Sequence, residues 1–113
     1  MASSQEYLDF IMEQLVEINN VSYKKMMGEY ILYFRGKVFG GIYDNRFLVK
    51  ITNTSRQLML DPIEEFPYEG AKPMLLVDNV DNKAFLYQLI TEMYDELPFP
   101  KVKMKKWFVN SNL

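Results

Sequence analysis

The chain has no cysteine and no histidine among its 113 residues. The first absence rules out a disulfide framework and any thiolate-ligated zinc site. The second removes the commonest general base, the commonest metal ligand and the usual switch at physiological pH. No apolar run approaches the roughly 18 residues that a membrane-spanning helix needs. The start, Met1-Ala2-Ser3-Ser4-Gln5-Glu6, lacks the basic residues and apolar core of a signal peptide, so the expected compartment is the cytoplasm. No glycine-rich loop precedes a helix in P-loop form, and no serine lies in a nucleophile-elbow motif. A catalyst here would have to take its base from a carboxylate, lysine or tyrosine, with Glu and Tyr of the loop 61–73 as the candidates. Nothing else in the sequence points that way, and the expectation is a protein that is not an enzyme and needs no cofactor. Glu64-Glu65 and the pair Asp78 and Asp81 could offer oxygen ligands to a hard cation, but their spacing matches no calcium loop, so no metal is expected.

What the chain does have is an ordinary globular balance, 49% hydrophobic and 25% charged, in a length that suits one core. The expected division is a single domain over residues 1–100 and a basic tail over 101–113. The net charge of -2 conceals a segregation by sign. Residues 1–20 carry Glu6, Asp9, Glu13 and Glu17 and no base. Residues 21–56 carry Lys24, Lys25, Arg35, Lys37, Arg46, Lys50 and Arg56 against Glu29 and Asp44. Residues 57–100 are strongly acidic, and the tail carries only lysines. Either the two signs neutralise each other within the fold, or a basic sheet beside acidic helices steers a polyanion.

Periodicity predicts a helix over Ser3 to Ile18, with Leu8, Ile11, Leu15 and Ile18 as its apolar stripe and Ser3 and Glu6 at capping-box spacing. An antiparallel meander follows. Its strands are Val21 to Met26, Tyr30 to Phe34, Val38 to Tyr43 and Arg46 to Ile51, with turns at Gly28, Arg35-Gly36-Lys37 and Asp44-Asn45. Gly40-Gly41 inside a strand marks a bulge or a close approach by another backbone. In the fourth strand, alternation puts Phe47, Val49 and Ile51 inward and Arg46, Leu48 and Lys50 outward. A short helix over Asn53 to Leu60, capped by Thr54, an acidic loop over 61–73 and a strand over Met74 to Val77 come next. The last long helix is capped by Asp81, with Phe85, Leu86, Leu89, Ile90, Met93 and Leu97 as its stripe. The order α-β-β-β-β-α-β-α predicts an α+β fold, an antiparallel sheet of about five strands with helices packed on one face.

The segments Lys25-Met26-Met27-Gly28-Glu29-Tyr30, Gly36-Lys37-Val38-Phe39-Gly40, Asp44 with Arg46-Phe47-Leu48-Val49-Lys50, and Pro67-Tyr68 with Lys72-Pro73-Met74 carry a resemblance. In that order and spacing they resemble the N-terminal domain of the TfoX/Sxy-type competence regulators, over about residues 3 to 97. Met27 stands where that family commonly has Phe, and Ile31 where a second Gly often follows the Tyr. The resemblance implies a secretion-chaperone-like sheet fold, no enzymatic activity and a regulatory or binding role, with a tie to DNA transformation competence. Full regulators of this type carry a second, C-terminal domain, so the expectation for this chain is a stand-alone short form.

Two surfaces are candidates for a partner. The basic meander offers Lys24, Lys25, Arg35 and Lys37, with tyrosines nearby to stack on bases. The tail offers Lys101, Lys103, Lys105, Lys106 and Trp107, which suit a nucleic acid or an anionic surface. The plainer reading, and the favoured one, is a solvated sheet face with aromatic core packing for the first set and a lysine-protected edge strand or a disordered end for the second. The leading expectation is a regulatory module acting through contacts with an unidentified protein, or with a second copy as a homodimer. A nucleic-acid-associated regulator is the alternative, and no membrane partner is expected.

Overall fold

A computed structural model describes residues 2–100. The expected tail, and with it Lys101, Lys103, Lys105, Lys106 and Trp107, lies outside the described residues. In chain order the elements are α1 (Gln5–Gln14), β1 (Val21–Met26), β2 (Glu29–Phe34), β3 (Lys37–Tyr43), β4 (Arg46–Val49), α2 (Asn53–Leu58), β5 (Glu64–Glu65), β6 (Met74–Leu76) and α3 (Lys83–Met93), followed by a 3-10 turn at Tyr94–Glu96. The strands form one sheet in the order β1-β2-β3-β4-β6-β5, antiparallel throughout. The α+β class is as expected. The sheet has six strands because Glu64 and Glu65, in the expected loop, pair with Leu75 and Met74. Among the described residues, no helix is long and apolar enough to cross a membrane.

Three hairpins wind the meander, and each turns in two residues. The turns are Met27-Gly28, Arg35-Gly36 and Asp44-Asn45, set by the pairs Met26↔Glu29, Phe34↔Lys37 and Tyr43↔Arg46. All six turn residues have φ between 51° and 85°. Positive φ at both central positions matches the right-handed twist of the flanking strands and keeps the ribbons from splaying.

The helices lie on one face of this sheet. Leu8, Ile11, Leu15 and Ile18 from the α1 region meet Leu86, Leu89, Ile90 and Met93 of α3 over Tyr30, Leu32, Phe34, Ile42, Phe47, Val49 and Leu75. Burying each Leu or Ile side chain contributes about 1.5–3 kcal/mol of transfer free energy. β3 bulges at this face. Leu32 pairs with Gly40 while Tyr33 pairs with Val38, so Phe39 is the extra residue. Phe39 is buried in the core, edge-to-face against Phe47 at 6.5 Å between centroids. The bulge presses β3 onto β4: a Cβ on Gly40 would collide with the Leu48 carbonyl oxygen and stand 3.0 Å from Val49 Cα. The expected close approach at Gly40-Gly41 is therefore made by neighbouring strands.

Each helix cap sits beside the residue that spacing favours. Ser4, not Ser3, caps α1 by accepting from the Tyr7 amide, and α1 stops at Gln14. Ser3 is engaged elsewhere, its hydroxyl donating to Glu29 Oε1 at 2.6 Å and accepting from the Asn45 amide at 3.0 Å. Thr52, not Thr54, forms a capping box with Ser55 on α2. The Thr54 hydroxyl and amide, with the Asn53 amide at 2.8 Å, donate to the Glu96 carboxylate. Asn82, not Asp81, caps α3. Leu48 is fully buried rather than outward-exposed; it and the buried Met74 lie apart from the helix-side core.

Two measurements check this account. Gly40→Ala should destabilise by about 3 kcal/mol, since only backbone movement can relieve the collision. Gly36→Ala, at φ +85° but with open space around it, should cost about 1–2 kcal/mol; denaturant midpoints would rank them. The second concerns Glu96. The Thr54 hydroxyl, then the two amides, holds its carboxyl below the usual carboxylate range. Its stabilisation is therefore complete above the unfolded-state value and lost as pH falls through the folded one. Glu96→Gln should destabilise at neutral pH and match the wild type in strong acid, as read by melts across pH.

Candidate functional site: a groove on the helix-free face

Strand parity fixes what lies opposite the helices. Lys24 and Met26 on β1, Glu29, Ile31 and Tyr33 on β2, Gly41 and Tyr43 on β3, and Arg46 and Leu48 on β4 fall on the other face by register. The bulge adds Val38 by pairing it with Tyr33. The Tyr43 ring leans over Gly41: a Cβ there would stand 2.5 Å from Tyr43 Cε2. Gly41 pairs with Leu48, so the ring lies beside that buried leucine.

The loop after β5 is tied across this face by Arg46. Its guanidinium bonds Glu65 Oε1 at 2.5 Å, the Phe66 carbonyl at 3.1 Å and its own turn through the Tyr43 carbonyl at 3.0 Å. This brings Tyr68 to 6.2 Å from the Tyr43 ring. The adjacent Glu64 is held by Arg56 at 2.6 Å. The two loop glutamates thus serve as anchors for the loop.

Two clefts meet at the Tyr43–Tyr68 pair. One, of about 650 Å³, is lined by Ala2, Met26, Met27, Glu29 and Ile31 together with both tyrosines. The other, of about 610 Å³, is lined by Val38, Lys50, Ile51, Lys72, Pro73 and Met74 among others. Both volumes fall in the range of ligand and peptide sites. Glu29 is not free to act in the first cleft. Its carboxylate accepts from the Ser3 amide and hydroxyl and from the Asp44 amide at 3.0, 2.6 and 3.1 Å, stitching the N-terminal arm to two hairpin tips. Burial first, then Tyr68, Glu29 and Tyr33, pushes the Tyr43 phenol up. Burial, then Lys72, pushes the Lys50 ammonium down.

Met27 stands out on this surface. It is 96% exposed, yet its φ is +52°. The left-handed region costs an ordinary residue about 1–2 kcal/mol. A side chain that touches almost nothing in its own fold returns none of that through packing.

The basic residues singled out in the meander are dispersed. Lys24 lies on the helix-free face, while Lys25 faces the other way, 5.9 Å from the Tyr30 centroid. Arg35 and Lys37 sit at the far turn, Arg35 5.1 Å and Lys37 Nζ 4.0 Å from the Tyr94 centroid. Lys37 is buried and donates to the Tyr94 carbonyl at 3.2 Å. The structure brings Arg35 and Lys37 together and leaves Lys24 and Lys25 apart from them. As parts of a binding surface, sequence reasoning passed over Met26, Met27, Ile31 and Lys72, and it weighed Tyr68 only as a catalytic base. The available signal was Met27 itself, a large apolar residue in a turn position that favours Asn or Gly.

The profile of the TfoX N-terminal domain matches residues 13–96. The chain belongs to this family. A relative from Spirochaeta aurantia, described as an uncharacterized 12.7 kDa protein in the trpE 5' region, is 36% identical over 107 residues, covering 94% of this chain and 93% of its own length. No solved structure matches the chain. On this TfoX N-terminal fold, Met27→Asn should raise the unfolding free energy by about 1 kcal/mol, since Asn adopts the left-handed region more readily. Urea denaturation of the two proteins would show it.

Proposed function

We propose that this TfoX N-terminal domain is a regulatory binding module that acts through protein–protein contacts, and that the groove on its helix-free face is the contact surface. The observation that carries the reading is Met27, held exposed in a strained conformation at the rim of an apolar cleft. The hairpin needs the positive φ but not a methionine there, and a strained residue kept where Asn would serve the turn is characteristic of functional surfaces. Met26 and Tyr68, 46% and 64% exposed, extend the same patch. Methionine and tyrosine are also the side chains that recognition surfaces favour. The resemblance to competence regulators supports control of DNA transformation as the process. The homodimer and the nucleic-acid regulator are the competing assignments for the same chain.

The test pairs a cellular readout with two solution measurements. A deletion strain is complemented with wild type, Met27→Asn or Tyr68→Ser, and transcript levels and transformation frequency are followed. Wild type should restore both. The two variants should fall short about tenfold, the effect of losing one central contact residue, although Met27→Asn folds more stably. Full complementation by both variants would remove the groove from the function. DNA and RNA titrations at low and high salt should show no steep salt dependence. Affinity falling by about one log unit per log salt for each phosphate contact would assign the chain to nucleic acid instead. Sedimentation should show a monomer; a dimer that dissociates on Met27→Asn would make the second copy the partner.

A further inference from the structure

The two halves of the groove differ chemically, and the difference specifies what could fill it. At one end are Met26, Met27 and Ile31, with the one carboxylate there, Glu29, already saturated by Ser3 and Asp44. At the other end Lys50, partly buried, and Lys72, exposed, line the same cleft. The ion pairs among the described residues are Arg46–Glu65 and Arg56–Glu64, and neither lysine takes part in one. Two cations lining one cleft, one of them partly desolvated, repel each other, and an incoming anion relieves that repulsion. Between the two ends stand Tyr43 and Tyr68, 6.2 Å apart, whose hydrogen bonds among the described residues are made by their backbones and not by their phenols. A peptide backbone can satisfy those hydroxyls; an alkyl chain cannot.

The span sets a length. Met26 and Lys50 are separated by three inter-strand spacings across the sheet and about four residues along it. At roughly 4.8 Å and 3.3 Å respectively, the diagonal is about 20 Å, or about six residues of extended chain. We propose that the groove takes an extended segment of a partner protein, with apolar side chains against Met26, Met27 and Ile31 and an Asp or Glu about six residues away between Lys50 and Lys72. This rests on the groove being the contact surface, and it adds the chemistry and spacing of the ligand.

Panning a random 12-residue peptide library on the full chain tests it. Selected sequences should share an apolar block and an acidic residue at the stated spacing. A synthetic selected peptide should bind about tenfold more tightly than its Glu→Gln counterpart. That preference should vanish on the Lys50→Glu and Lys72→Glu double variant, and on Lys72→Glu alone, a change on an exposed loop position that leaves the core intact. Peptides that require Met27 and Tyr68 but show no acidic preference would overturn the proposal and leave the contact surface standing. Selection of no peptide dependent on Met27 or Tyr68 would overturn both. Displacement of the peptides by dodecanoate at comparable affinity would overturn it in favour of a small anionic amphiphile.

Discussion

Where β3 bulges, Phe39 and Gly40 together face the single Leu32 of β2, and the side-chain parity of the strand reverses. Beyond the bulge, Lys37 and Phe39 turn towards the helices, while Val38 joins Gly41 and Tyr43 on the other side. The core depends on that reversal, because Phe39 fills the centre against Phe47 and Lys37 reaches the Tyr94 carbonyl in the turn that follows α3. A cation placed at a helix C-terminus is favoured there by the helix dipole. The bulge is possible only because Gly40 lets the β4 backbone come closer than any side chain would allow. The same strand then leaves Gly41 bare on the opposite face, and Tyr43 folds over the gap. One irregularity therefore closes the core on one side and shapes a groove wall on the other.

Much of the fold was legible in the sequence because the meander states its own geometry. Val21 to Met26 matches β1, and the stripes of α1 and α3 are buried as their spacing requires. Two of the three misplaced caps share a cause. At Ser3-Ser4 and at Thr52 to Thr54, neighbouring side chains have the same capping chemistry, and a distant carboxylate decides between them. Glu29 takes Ser3 and Glu96 takes Thr54, leaving the adjacent residue to cap. No local pattern encodes a contact between residues some 26 or 42 positions apart. Leu48 failed for a similar reason: alternation assigns its face correctly, but the loop tied down by Arg46 crosses that face from elsewhere in the chain.

The site was less legible than the fold. Charge runs drew notice to Lys24, Lys25, Arg35 and Lys37, but strand alternation and hairpin geometry send them to two faces and two ends of the sheet. The residues that line the groove are apolar, and in a sequence they read as core. What separates Met26, Met27 and Tyr68 from core is exposure, which depends on how the sheet, the N-terminal arm and the loop assemble.

Among the described residues β1 is an edge of the sheet, with Ser22 to Met26 exposed along it. A strand of that length with an unpaired row of backbone donors and acceptors is a template for adding another strand. Two copies meeting there antiparallel would crowd Lys24 and Lys25 of one against Lys24 and Lys25 of the other. A pair of lysines there acts as a fender in principle: like charges brought face to face oppose edge-to-edge pairing of two copies. Chemical neutralisation of these two amines, as by acetylation, would remove that repulsion and leave the strand adhesive.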